Sequence, residues 1–170
     1  MSRVYIISDL HLGHKAICKY RTEFSTPEEM YQTFLSNTLE TLDKRDTLWM
    51  LGDCFFTESS VDWLREVAAS CGQVNWVLGN HDSDNSVRQK IIRTVLQEEL
   101  INKIGSLFSY KGFWLSHAPI HPEELRGKHN IHGHTHRHVI DDTRYINACV
   151  EHTDWKPVEF KDLVSRSESV

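Results

Sequence analysis

No run of apolar residues in this chain approaches the roughly 20 needed to cross a bilayer, so no membrane span is expected. Positive charge is also in short supply. The 19 Lys and Arg stand against 24 Asp and Glu, a formal net charge of −5, which argues against a surface built to grip long polyanions. Long nucleic acid is therefore not an expected partner. The four cysteines, Cys18, Cys54, Cys71 and Cys149, form no C-x-x-C pair, and this disfavours a zinc-stabilised structural domain, whose sites are closed sets rich in cysteine. No signal sequence is read ahead of Arg3, and a reduced, cytoplasmic setting is expected. With 4 prolines and 8 glycines in 170 residues, no linker, repeat or low-complexity tract stands out.

What remains is enough for one sizeable core. Hydrophobic residues make up 39%, and a chain of this length buries roughly 70% of its unfolded surface. Residues 1–164 read as a single domain and Ser165–Val170 as a frayed C-terminal tail. The composition has one oddity. Of eleven histidines, seven (His117, His121, His129, His132, His134, His136 and His138) crowd into one short stretch.

Three continuous apolar runs, Val4–Ile7, Thr47–Leu51 and Val74–Leu78, read as buried strands, each ending in a polar loop. Helices are expected between them. Thr26-Pro27-Glu28-Glu29 places a capping residue, a first-turn proline and a Glu three residues after the cap, and Met30, Tyr31, Phe34, Leu35, Thr38 and Leu42 supply the apolar face. Ser60 is the expected cap of a second helix running to Cys71, and Ser86–Leu100 carries a third. Ile104–Tyr110 and Phe113–Ser116 read as a hairpin about Lys111-Gly112, and Asn130–His132, Val139-Ile140, Tyr145–Val150 and Pro157–Phe160 as further short strands. Strands alternating with helices, then hairpins, predict an α/β domain of two packed β-sheets flanked by helices.

Five polar clusters follow these strands: Asp9-x-His11, Gly52-Asp53, Gly79-Asn80-His81-Asp82, Ser116-His117 and Gly133-His134-Thr135-His136. Each has an ordinary reading. Gly-Asp is often only a turn, and a lone strand-end histidine is usually satisfied by a backbone carbonyl. Together, in one chain and one order, they point to metal. Residues two apart on an extended segment face the same side, so Asp9 with His11, and His134 with His136, are each expected to offer two ligands to one place. A carboxylate, imidazole and amide set suits Mn²⁺, Fe²⁺ or Zn²⁺, and this many ligands serve two ions better than one. Two such ions can share a water, lower its pKa toward 7 and stabilise phosphoryl oxygens, which is the chemistry of phosphoester hydrolysis.

The same order of motifs resembles the calcineurin-like metallophosphoesterase family, over Val4 to about Phe160, with small bacterial and phage-type members the nearest likeness. The resemblance implies an α/β/β/α sandwich with mixed sheets. It implies that Asp9, His11 and His136 hold one metal ion, that Asn80, His117 and His134 hold a second, and that Asp53 bridges them. It also implies that His81 is catalytic without being a ligand, with Asp82 orienting its ring. Mn²⁺ is the expected cofactor, with Fe²⁺, Zn²⁺ or Ni²⁺ as alternatives. His14 and Arg21 are the candidate substrate contacts. His132 and His138 are left between supporting the ligands and simple exposure, and Cys54 is read as packing.

Where the family's protein phosphatases continue Gly-Asp with Val-Asp-Arg-Gly, this chain has Cys54-Phe55-Phe56, which disfavours that activity. The expected function is hydrolysis of small phosphodiesters or nucleotide-like phosphoesters. A phosphomonoesterase is the alternative, and a non-catalytic metal-bound interaction module a weaker one.

Overall fold

The structure is a computed structural model that describes residues 2–167. Its first half follows the strand–helix alternation of the sequence. β1 (Val4–Ile7), β2 (Thr47–Met50), β3 (Gln73–Val77) and β4 (Lys103–Gly105) lie parallel in the order β4-β3-β2-β1, and β9 (Val158–Glu159) adds an antiparallel edge beside β1. The second sheet, β5 (Leu107–Tyr110), β6 (Phe113–Ser116), β7 (His129–His132) and β8 (Tyr145–Asn147), is also mixed: β5 runs antiparallel to β6, and β6, β7 and β8 are parallel.

Both faces of the first sheet are apolar, which is why its strands read as continuous hydrophobic runs rather than alternating ones. Tyr5, Ile7, Leu48, Met50, Val74 and Trp76 pack with Met30, Phe34, Trp63, Val67, Ile91 and Val95, which lie on α1 (Pro27–Thr41), α2 (Val61–Ser70) and α3 (Ser86–Gln97). Ile6, Trp49, Leu51 and Val77 point the other way, against Leu115, Ile131 and Ile146 of the second sheet. α4 (Phe160–Ser167) packs on β1, β8 and β9. The result is two mixed sheets flanked by helices, as expected. Among the described residues no helix is long and apolar enough to cross a membrane.

Several local expectations shift. Thr26 caps α1 through the Glu29 N–H as the sequence implies, but Ser60 does not cap α2. The cap lies one turn earlier at Thr57, which opens a 3₁₀ turn over Glu58–Ser60, and the Ser60 hydroxyl donates back to the Thr57 carbonyl at 2.6 Å. Ile104–Tyr110 is not one strand, because the chain leaves the first sheet after Gly105 and enters the second at Leu107. Periodicity marks apolar runs and says nothing about which sheet receives them. Among the described residues the only hairpin of the second sheet is β5–β6, the remaining pairs being parallel. Val139-Ile140 forms no strand, and Tyr145–Val150 shortens to β8 followed by a 3₁₀ turn over Val150–His152. Helix α4 reaches Ser167, three residues into the segment expected as a tail, and residues 168–170 lie outside the described residues.

Candidate metal centre

Parallel strands place their C-terminal ends along one edge. That edge carries Asp9 and His11 after β1, Asp53 after β2, Asn80 after β3, His117 after β6, and His134 and His136 after β7. Two groups form there. The ligand-type atoms of Asp9, His11 and His136 lie within 4.8 Å of one another, and so do those of Asp53, His117 and His134. Each group draws on both sheets.

The local backbone differs from the extended geometry expected. Asp9, His11, Asp53, His134 and His136 all have positive φ, between 48° and 67°, in the left-handed region that costs an L-residue roughly 1–2 kcal/mol. Five of the six residues in the two groups are therefore held in a disfavoured conformation. Backbone bonds between loops hold them there: the N–H groups of Asp9, His11 and Leu12 donate to the carbonyls of Gly52, Asp53 and Cys54 at 2.9–3.0 Å. Two glycines make the close approach possible. A Cβ on Gly133 would collide with Ser8 Oγ and Asp9 Oδ2, and one on Gly79 would collide with Asp53 Oδ1.

The hydrogen bonding leaves particular atoms free. Asp9 Oδ2 accepts from the Ser8 hydroxyl (2.6 Å), the His134 N–H (2.9 Å) and the Cys149 thiol (3.2 Å). Its Oδ1 is fully buried with no hydrogen-bond partner, as are both ring nitrogens of His11. Asp9 Oδ1 stands 3.7 Å from His11 Nε2 and 3.9 Å from His136 Nε2. These spacings are too long for hydrogen bonds, yet two ligands bound to one ion at about 2.0–2.2 Å can stand up to about 4.4 Å apart. A buried carboxylate oxygen facing two imidazoles and bonded to neither fits a cation, because otherwise its desolvation is uncompensated.

Tautomers are set from behind. His136 Nδ1–H donates to Glu151 Oε1 at 3.0 Å, which turns Nε2 toward Asp9. His117 Nδ1–H donates to the Leu51 carbonyl at 2.8 Å, and its Nε2 faces Asn80 Oδ1 (3.0 Å), Asp53 Oδ2 (3.3 Å) and His134 Nδ1 (3.2 Å). Asn80 thus presents its carbonyl oxygen to this group. Asp53 Oδ2 also lies 3.9 Å from His11 Nε2, so this one carboxylate faces both groups, while its Oδ1 takes the His81 N–H at 2.9 Å.

The field is strong. Burial opposes the charge on Asp9, but the adjacent His11 imidazole, the charge of His117 and the Ser8 hydroxyl hold its carboxyl well below the usual range. Burial pushes the His117 imidazole down, and the Asp53 and Asp9 carboxylates outweigh it, carrying it up to about 9. Glu151 is held at about 2 despite burial, by His136 and Arg21. Asp82 goes the other way: burial raises it to about 6 against the pull of the Gly79, Cys54 and Asp53 N–H groups.

Two expected roles need correction. Asp82 does not touch the His81 ring. Its buried carboxylate accepts the N–H groups of Gly79, Asp53 and Cys54 at 2.7–3.1 Å and so ties two ligand loops together. The ring of His81 is met instead by Asp84, Nδ1 to Oδ2 at 3.0 Å, and Asp84 is held by Arg88 at 2.8 Å. Arg21 is no free substrate contact, because its guanidinium is 1% exposed and spent on Glu151 (2.9 Å) and on the carbonyls of Asp9 and Leu10. Burial with internal partners makes it structural. His14 lies at a cleft wall beside His11. His132 is buried and donates from Nδ1 to the Gly133 carbonyl at 2.8 Å, His138 is exposed, and Cys54 is buried with its thiol on the Gly52 carbonyl.

Sequence reasoning missed Glu151, Asp84 and Phe56. Phe56 is the hub of the open side: His11 stacks on it at 4.9 Å, His14 meets it edge-on at 4.9 Å, His81 lies at 5.6 Å, and the Arg88 guanidinium sits 4.2 Å above its ring. Asp84, two residues past Asp82, is the one of the three with a local signal.

Two mixed sheets carrying paired Asp and His groups on one strand edge define a metallophosphoesterase-type domain. The chain belongs to the calcineurin-like phosphoesterase superfamily, whose domain description matches residues 2–150. Hydrolysis is the general activity of that superfamily, and divalent metals are its usual cofactors. Among relatives, an uncharacterised protein of Methanocaldococcus jannaschii is 29% identical over 99% of this chain and 93% of its own length. Gene 66 protein of Mycobacterium phage L5 is 28% identical over 82% of this chain and 80% of its own. The crystal structure of a protein of unknown function from Aquifex aeolicus superimposes with a TM-score of 0.73 at 27% identity, covering 98% of this chain and all of that one.

Proposed function

We propose that this protein is a two-metal phosphoric ester hydrolase acting on small phosphodiesters or nucleotide-like phosphoesters, in a reducing cytoplasmic setting and without long nucleic acid as partner. The observation that carries the reading is Asp53 Oδ2, 3.3 Å from His117 Nε2 and 3.9 Å from His11 Nε2. One carboxylate oxygen shared between two ligand groups is what two adjacent cations require. Asp9, His11 and His136 would hold one ion, and Asn80, His117 and His134 the other. Mn²⁺ is the first choice for this mixed set, ahead of Fe²⁺, Zn²⁺ and Ni²⁺. Bound there, such ions supply Lewis-acid stabilisation of phosphoryl oxygens and activation of water at neutral pH.

The chain's own residues do the rest. Asn80 contributes an oxygen without a charge, which keeps the pocket attractive to a phosphate. His81 is fixed by its N–H on Asp53 and by its ring on Asp84, with the ring itself 44% exposed, so it can reach a departing oxygen and give it a proton. That help matters most for poor leaving groups.

The test is a panel of phosphomonoesters, phosphodiesters and cyclic nucleotides with Mn²⁺, run on the wild type and on His81→Ala. The variant is expected to keep its metal and to lose about 10²–10⁴-fold on alkyl or nucleoside esters, with a far smaller loss on p-nitrophenyl esters. Equal losses on both classes would contradict the proton-donor role, and loss of metal would make His81 a ligand.

A further inference from the structure

Each ligand group opens onto its own cleft. The cleft at His11 and His136 has a volume of about 520 Å³, with Tyr20, Thr135, Arg137 and His138 on its walls. The cleft at Asn80, His117 and His134 has a volume of about 480 Å³, with Leu78, Ser106, Leu107 and Ile120 around it. The two share no lining residue. The ligand cluster is therefore reached from two sides.

The walls differ in chemistry. The first offers an aromatic ring with hydrogen-bond donors around it. The second, apart from the ligand residues, is aliphatic and serine-lined, with no charged side chain. At each cleft stands a large apolar side chain that the core does not use: Tyr20 is 74% exposed and Leu107 is 45% exposed, two of five such residues among those described. Exposed rings beside phosphate sites stack flat aromatic groups of any base identity.

A phosphomonoester has one organic arm and can occupy one cleft, whereas a phosphodiester has two. We infer that the substrate is a phosphodiester with unlike arms, a flat nucleobase-like arm against Tyr20 and a compact apolar arm against Leu107. The inference rests on the phosphoesterase reading of the site and adds to it the number and nature of the arms.

Tyr20→Ala and Leu107→Ser test it, since both side chains are exposed and neither belongs to the packed core. Each variant is assayed with Mn²⁺ on p-nitrophenyl phosphate, bis(p-nitrophenyl) phosphate and the p-nitrophenyl ester of thymidine 5′-phosphate. The wild type is expected to prefer the diesters. Both substitutions are expected to lower kcat/KM on the thymidine diester about tenfold, and at most one of them to lower it on the monoester, because a single arm reaches a single cleft. A wild type that prefers the monoester, substitutions without effect on the diesters, or equal losses on monoester and diester in both variants would each overturn the inference. Hydrolysis of none of the three substrates would instead overturn the phosphoesterase reading on which it stands.

Discussion

His136 gives its Nδ1 proton to Glu151 across 3.0 Å, and Glu151 takes a second bond from Arg21 Nε at 2.9 Å through the same oxygen. Both Arg21 and Glu151 are almost wholly buried, 1% and 3% exposed. Arg21 reaches on to the Asp9 and Leu10 carbonyls, so one buried chain of charge fixes the backbone of one ligand and the ring of another. Glu151→Gln is expected to weaken metal binding about 10–100-fold, the usual effect of losing a group that orients a ligating histidine. It also leaves Arg21 buried against a neutral partner, and Tm should fall. Metal titration with calorimetry and a thermal melt check both; unchanged affinity would show that Glu151 does not orient His136 for metal.

The left-handed backbone at Asp9, His11, Asp53, His134 and His136 predicts that metal is a folding ligand as well as a cofactor. Because the two groups join loops from both sheets, an ion in either one ties the sandwich together. At Mn²⁺ one hundred times its Kd, stability should rise by about 2.7 kcal/mol. For a chain of this size that is about 5–10 °C in Tm, reversed by chelation. Coincident melts with and without metal would contradict it.

Gly133→Ala tests the close approach at the second sheet's contribution. The added methyl collides with Ser8 Oγ and Asp9 Oδ2, so Asp9 must move, at a cost of about 1–3 kcal/mol. The expected outcome is loss of metal from the Asp9–His11–His136 group. Retention of full metal content would show that the loop yields instead.

Far from this edge, Asp46 is one contributor to acid lability. Its side chain is fully buried and accepts the N–H groups of Arg3 and Asp43 and the Arg3 guanidinium at 2.9–3.3 Å. Burial alone would raise its pKa, but these bonds outweigh it and hold the carboxyl below its ordinary value. A depressed folded-state pKa gives stability that is complete above the unfolded value and is lost as pH falls through the folded one, so the loss begins below about pH 5. Asp46→Ala should cost about 1–3 kcal/mol at pH 7 and flatten the acid limb of a urea-midpoint profile. An acid limb as steep as that of the wild type would exclude Asp46 as a contributor.

The candidate ligand residues were legible because each sits within a few residues of an apolar strand's end, where a local pattern marks it. The geometry between them was not. Asp9 and His11 converge through left-handed backbone rather than strand alternation, and loop bonds to residues more than 40 positions away impose that conformation. Asp82 lies beside His81 in sequence, yet its side chain turns to the backbone of the Gly52–Cys54 loop, leaving Asp84 to meet the ring. Arg21 has the composition of a phosphate contact, and only its burial against Glu151 reveals its structural use. Likewise, the switch of sheets at Ser106 carries no signal in hydrophobic periodicity, because both sheets present apolar strands to the same core.

The most direct measurement is metal content and turnover on the same sample, with bis(p-nitrophenyl) phosphate as substrate, after exhaustive chelation and again after Mn²⁺ is restored, in the wild type and in Asp53→Asn. The expected result is no turnover in the stripped protein, two Mn²⁺ per chain with turnover on restoration, and loss of both metal and rate in Asp53→Asn. Turnover that survives chelation, or an Asp53→Asn variant with two metals and near-normal rate, would contradict a two-metal centre shared through Asp53.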